Sequence, residues 1–100
     1  MYGTIARMRV KPGMEARMRD GFTEATSGRI SGMVFDHLYQ STTDPQEFWL
    51  AVGFESKEAY DANAASPEQH EEYLRLREIL ASDPEWHDGV IVESVALAGI

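Results

Sequence analysis

A chain of 100 residues, 43% of them hydrophobic and 10% aromatic, is long enough for a single domain over 1–100 with its own core, which argues against wholesale disorder. It has no cysteine, which removes disulfide scaffolds, thiol catalysis and thiolate metal sites. The net charge of −8 suits neither nucleic acid nor an anionic membrane surface. No apolar run approaches the ~18 residues of a membrane helix, and Met1-Tyr2-Gly3-Thr4 has no signal layout, so a soluble, cytoplasmic domain is expected.

Charge is unevenly spread: residues 1–29 carry six basic and three acidic side chains. Arg7, Arg9, Lys11, Arg17 and Arg19 can form a small anion-attracting patch, or they can pair with acids elsewhere. Thr4 to Val10 alternates with period two and predicts a first strand, broken by Lys11-Pro12-Gly13. Met14, Met18, Phe22 and Ala25 then recur at helical spacing with charged residues between them, which predicts an amphipathic helix. Ser27-Gly28 and Ser31-Gly32 are expected to end it. Met33 to Gln40 reads as a second strand. Ser41 to Gln46 is turn chemistry, with Asp44 held out of the helical region by Pro45.

Phe48 to Phe54 predicts a third strand, apolar at nearly every position and so in need of cover on both faces. Ser56 can cap a short helix, and Ser66-Pro67-Glu68-Gln69 is a second helix start. Tyr73, Leu76 and Leu80 follow as an apolar stripe, joined by His70, and Ser82-Asp83-Pro84 stops that helix. Pro84 to Gly89 reads as a loop, and Val90 to Leu97 as the fourth strand. The resulting order, β-α-β-β-α-β with the last helix in two pieces, is the ferredoxin-like α+β arrangement: a four-stranded antiparallel sheet with its helices on one face. The other face, with Ile5, Trp49 and Val92 available to it, should not meet water, so a homodimer with two facing sheets is expected.

Val10-Lys11-Pro12-Gly13, Gly32, and Phe54-Glu55-Ser56-Lys57-Glu58-Ala59-Tyr60 together resemble the antibiotic biosynthesis monooxygenase domains of the dimeric α/β-barrel superfamily, over roughly Tyr2 to Val95. The resemblance implies the same fold and dimer, and a pocket between sheet and helices for a small aromatic or polycyclic molecule. In the quinone-forming members the site has an asparagine and a tryptophan on the third strand and a tyrosine on the next helix. Here those positions read Leu50, Phe54 and Tyr60, so only the tyrosine is kept. The positions that define the haem-degrading branch read Ala6, Asn63 and Tyr73, which disfavours that reaction. A cofactor-independent monooxygenase acting on a quinol- or anthrone-like compound is the first expectation. The alternative is a non-catalytic dimer that binds a small hydrophobic molecule or serves a stress role.

Oxygenation without a cofactor needs a base to deprotonate a phenol or enol, and donors for the anion that reduces dioxygen. His37 and His70 are the candidate bases. Tyr60, Tyr39, Tyr73 and Asn63 can donate hydrogen bonds, Trp49 and Phe54 can stack on a ring, and Arg7 can hold an anionic substituent. Each has a structural alternative. His37 shares a strand face with Phe35 and Tyr39 and can be buried in a dimer interface, where Trp49 can also be core. His70 can simply extend its helix's apolar stripe, Tyr60 and Tyr73 can be core packing, and Asn63 can end a helix. His37, His70 and His87 show no ligand spacing, and no metal is expected.

Overall fold

The computed structural model describes residues 1–25, 30–95 and 97, with only the backbone of 22–25. The expected contributions of Phe22 and Ala25 to the helix face, and of Ser27 and Gly28 to its end, therefore lie outside what is described. The elements are β1 (Tyr2–Arg9), α1 (Glu15–Ala25), β2 (Met33–Gln40), β3 (Glu47–Phe54), α2 (Lys57–Ala64), α3 (Pro67–Ile79) and β4 (Glu85–Val90). The strands form one antiparallel sheet in the order β2-β3-β1-β4, the ferredoxin-like arrangement expected from the sequence.

Local chemistry accounts for the boundaries. Gly13 and Gly32 both sit at positive φ, 86° and 80°, where other residues are strained. Gly32 also accepts a hydrogen bond from Glu55 N at 2.8 Å, and a Cβ there would come within 2.7 Å of Ala59 Cβ. It thus lets the entry to β2 pack against the start of α2. Ser56 Oγ accepts from Ala59 N to cap α2, and Ser66 Oγ accepts from Gln69 N to cap α3, with Pro67 in the first turn. Ser66 Oγ also donates to the Asn63 carbonyl at 2.8 Å, fastening the two helices end to end.

The strands alternate sharply between two faces. Ala6, Met8, Val10, Phe48, Leu50, Val52 and Phe54 are buried beneath the helices with Met18, Ile79 and Leu80. The residues between them point the other way. Ile5 is 60% exposed and Tyr39 55%, while Trp49 and Ala51 are half-buried. Arg7 and Arg9 stand on this outer face too, and pair with Glu47 and Asp44 at 2.5 and 2.6 Å. These two arginines of the early basic cluster are therefore taken up by acids of the β2–β3 region.

One expectation is corrected. The fourth strand is Glu85–Val90, not Val90–Leu97, and the expected loop Pro84–Gly89 is mostly strand. The reason lies in the register. Lys11 N donates to Ile79 O and Ala81 N to Arg9 O, both at 2.8 Å, while Val10 and Leu80 form a bridge. The chain leaving α3 is thus fixed to the far end of β1, and pairing proceeds from Arg7 opposite Glu85 to Tyr2 opposite Val90. Ile91 N reaches Met1 O at 2.9 Å, one rung past the last pair of the ladder. Val92, expected on the outer face of the sheet, lies beyond the strand and is 93% exposed.

Candidate functional site

Between the helix-covered face of the sheet and the helices lies a cavity of about 1040 Å³. Its apolar wall is built by Leu50, Val52 and Phe54 from β3, Met18 from α1, and Leu76 and Ile79 from α3. Polar groups come from every layer: Thr4 on β1, Asp36 on β2, Tyr60 and Asn63 on α2, His70 and Tyr73 on α3, and Asp88 on β4, with Arg17 and Asp20 of α1 and Gln69, Glu72 and Arg75 of α3 also bordering the cavity. A continuous apolar wall with polar groups converging on it is the usual make-up of a small-molecule site, and this cavity is richer than most in charged residues at its border.

Tyr60 is the best-fixed of these groups. Its ring meets Phe54 edge-on, with centroids 5.6 Å apart at 83°, and Tyr2 likewise at 5.2 Å and 68°. Its hydroxyl donates to Asp88 Oδ1 at 2.9 Å. Burial, followed by the hydrogen bond to Asp88 and that carboxylate's charge, pushes the phenol up to about 12. The nearby Thr4 hydroxyl acts the other way, while Tyr2 adds slightly to the rise. Tyr60 is therefore a neutral phenol at ordinary pH, a hydrogen-bonding group and not a standing base. Thr4 is 7% exposed, and its Oγ1 has no hydrogen-bond partner of acceptable geometry.

The expected site residues fall on two sides of the sheet. Tyr60, His70, Asn63, Tyr73 and Phe54 all line the cavity. His37, Tyr39, Trp49 and Arg7 do not, because each occupies the opposite phase of its strand. On that outer face His37 stacks on Phe35 at 5.3 Å, Tyr39 is paired with Trp49, and Arg7 is held by Glu47. His87 also belongs to the outer face, beside Glu85 Oε1 at 2.9 Å. Among the described residues no cluster of three metal-ligating side chains occurs.

Sequence reasoning missed Thr4, Asp36, Trp86 and Asp88. The signal for Asp88 and Trp86 was present: Trp86, Asp88 and Val90 alternate with Glu85, His87 and Gly89, which is strand phase hidden inside residues that look like a loop. Thr4 and Asp36 are opposite Val52 in the ladders on either side of β3, which brings both to the helix-covered face.

A profile of the antibiotic biosynthesis monooxygenase family matches residues 1–75. The chain belongs to this family. Two similar solved structures, both assigned as antibiotic biosynthesis monooxygenases, come from Chloroflexus aurantiacus and Bordetella bronchiseptica. The first is 26% identical, covering 95% of this chain and 96% of its own, with a TM-score of 0.81. The second is also 26% identical, covering 92% and 97%, with a TM-score of 0.79. SnoaB from Streptomyces nogalater, a cofactor-independent oxygenase, shares the fold with a TM-score of 0.82 at 16% identity, covering 94% of this chain and 95% of its own. No curated protein matches the chain by sequence. No helix among the described residues is long and apolar enough to cross a membrane.

Proposed function

We propose that this family member is a cofactor-independent monooxygenase acting on a small hydroxylated aromatic compound held between sheet and helices. The observation that carries the reading is the cavity itself: apolar walls that fit a ring system, with the fixed phenol of Tyr60 among its polar groups. The description of SnoaB as a cofactor-independent oxygenase supports the same reaction class. In this reading a base takes the substrate's hydroxyl proton, and the resulting anion reduces dioxygen. One oxygen atom ends on the ring as a quinone oxygen and the other as water, the substrate supplying the electrons. His70 is the proposed base. Tyr73 and Asn63 are the proposed donors to the substrate oxygens, Tyr60, whose own proton is directed at Asp88, accepts from a substrate hydroxyl, and Phe54 packs beside the ring.

A second reading has its own support. Leu50 is 6% exposed and Phe54 1%, so at these two positions β3 offers the cavity apolar surface and no polar group. That composition also suits a dimer that binds a hydrophobic molecule without converting it. Oxygen uptake by chelator-treated protein over hydroquinones, dihydroxynaphthalenes and anthrones separates the two. Uptake above the autoxidation blank that is lost in Tyr60→Phe and His70→Ala is the result expected of the enzyme. A flat response together with tight binding of the same compounds favours the binding dimer.

The homodimer belongs to this proposal as well. Ile5, Val34 and Tyr39 are more than half exposed on or beside the outer face, and a second sheet packed there about a two-fold axis would remove them from water. Sedimentation equilibrium at micromolar concentration is expected to give twice the chain mass; a monomer would refute this part alone.

A further inference from the structure

We propose that Asp88 is a positioning residue that sets what the cavity selects. By engaging the single proton of the Tyr60 phenol, it turns that oxygen toward ligands as an acceptor, so aromatic molecules with a free hydroxyl bind in preference to their ethers and quinones. This rests on the aromatic-ligand reading above and goes beyond it by naming what discriminates among such ligands.

A phenol has one proton to donate and lone pairs to accept with. In Tyr60 the proton is directed at Asp88 Oδ1, 2.9 Å away. An ionised carboxylate is a stronger acceptor than the neutral oxygen of a ketone or ether, so an incoming ligand does not readily win that proton. The ring itself cannot easily swing away, since Phe54 and Tyr2 meet it edge-on from different strands. What Tyr60 can still offer a ligand is a lone pair.

The placement of Asp88 follows from the register of β4. Asp88 is directly opposite Thr4, a buried residue of the same cavity wall. A slip of one residue would carry Asp88 to the outer face and leave the phenol's proton free.

The test uses the intact chain and two stable probes, 2-naphthol and its methyl ether 2-methoxynaphthalene, with binding followed by calorimetry. The wild type is expected to bind the naphthol several-fold more tightly, up to about tenfold, the net worth of one hydrogen bond to the half-buried phenol oxygen. In Asp88→Ala the ratio is expected to fall toward about one, chiefly through tighter binding of the ether, because the freed phenol proton can point into the cavity. Tyr60→Phe should also abolish the preference. Asp88→Asn, which keeps the shape and loses the charge, should lie between.

A merely structural role for Asp88 would weaken both ligands alike and leave the ratio unchanged. Alkaline titration of tyrosine absorbance gives a readout free of ligand. The difference between each protein and its Tyr60→Phe counterpart isolates Tyr60, whose midpoint should fall when Asp88 is removed. Equal binding of the two probes to the wild type overturns the proposal and leaves the aromatic cavity standing. So does retention of the wild-type ratio in Asp88→Ala. Binding of neither probe to the wild type overturns the aromatic-ligand reading and this proposal with it.

Discussion

The two faces of the sheet are written by the same strands, yet they behave as different materials. On the helix side Ala6, Met8, Phe48 and Phe54 are at most 1% exposed, and the polar groups Thr4, Asp36 and Asp88 border the cavity. On the outer side apolar residues such as Ile5 and Tyr39 lie open beside the Arg7–Glu47 and Arg9–Asp44 ion pairs. The difference is one of cover and not of composition: β3 is almost as apolar outward, at Trp49 and Ala51, as it is inward. An apolar surface with ion pairs along one margin has the make-up of an interface, with a dry centre and a polar rim.

Substitutions that probe one face at a time can break or sharpen that contrast. The largest effect is expected from Phe48→Ala on the helix side, about 3–5 kcal/mol of unfolding free energy, read from a denaturant midpoint at unchanged slope. Gly32→Ala should cost less, about 1–3 kcal/mol, because it combines positive φ with a clash against Ala59 at the entrance to α2. Ser66→Ala, which removes the cap of α3, should cost about 1 kcal/mol by the same measurement. Ile5→Lys on the outer face should change the stability of the isolated chain by no more than about 0.5 kcal/mol. Its effect should appear instead in sedimentation, as loss of the proposed dimer. If it unfolds the chain, the contrast between the faces is wrong.

Alkali provides the gentlest probe. Tyr60 holds its proton more tightly in the folded chain, to about 12, than an ordinary tyrosine at 10.0. The folded state therefore binds more protons over that interval, and stability should decline as the pH rises from about 10 to about 12. Below this window the contribution is complete. In Tyr60→Phe that part of the decline should vanish.

Much of the fold was legible because its signals are local. The caps at Ser56 and Ser66, the alternation of Thr4 to Val10 and the Asp44-Pro45 turn each act within a few residues. The fourth strand was not legible, because its position depends on where β1 ends. Val90 to Leu97 has the better strand composition, but Glu85 to Val90 is the segment that β1 can reach. The site was divided in the same way. Tyr60, His70 and Tyr73 lie on helices packed against the sheet, and their spacing suggested an inward face, whereas the spacing around Asn63 read as a helix end. His37 and Trp49 required knowing which strand phase faces the helices. Asp88 was missed because a residue in an expected loop has no phase at all.

The position of β1 bears on how the molecule comes into being. It is the first strand to be synthesised, yet it stands inside the sheet between β3 and β4, which follow roughly 40 and 80 residues later. Assembly therefore cannot run stepwise from the start of the chain: β1 must wait for both neighbours, and its unpaired backbone is a hazard meanwhile. Pulse-labelled hydrogen exchange should find the β1 amides protected only together with those of β3. The last neighbour to arrive is β4, which carries Asp88. The Tyr60–Asp88 hydrogen bond is completed by the same event that closes the sheet, so a chain cut short after α3 would lack both.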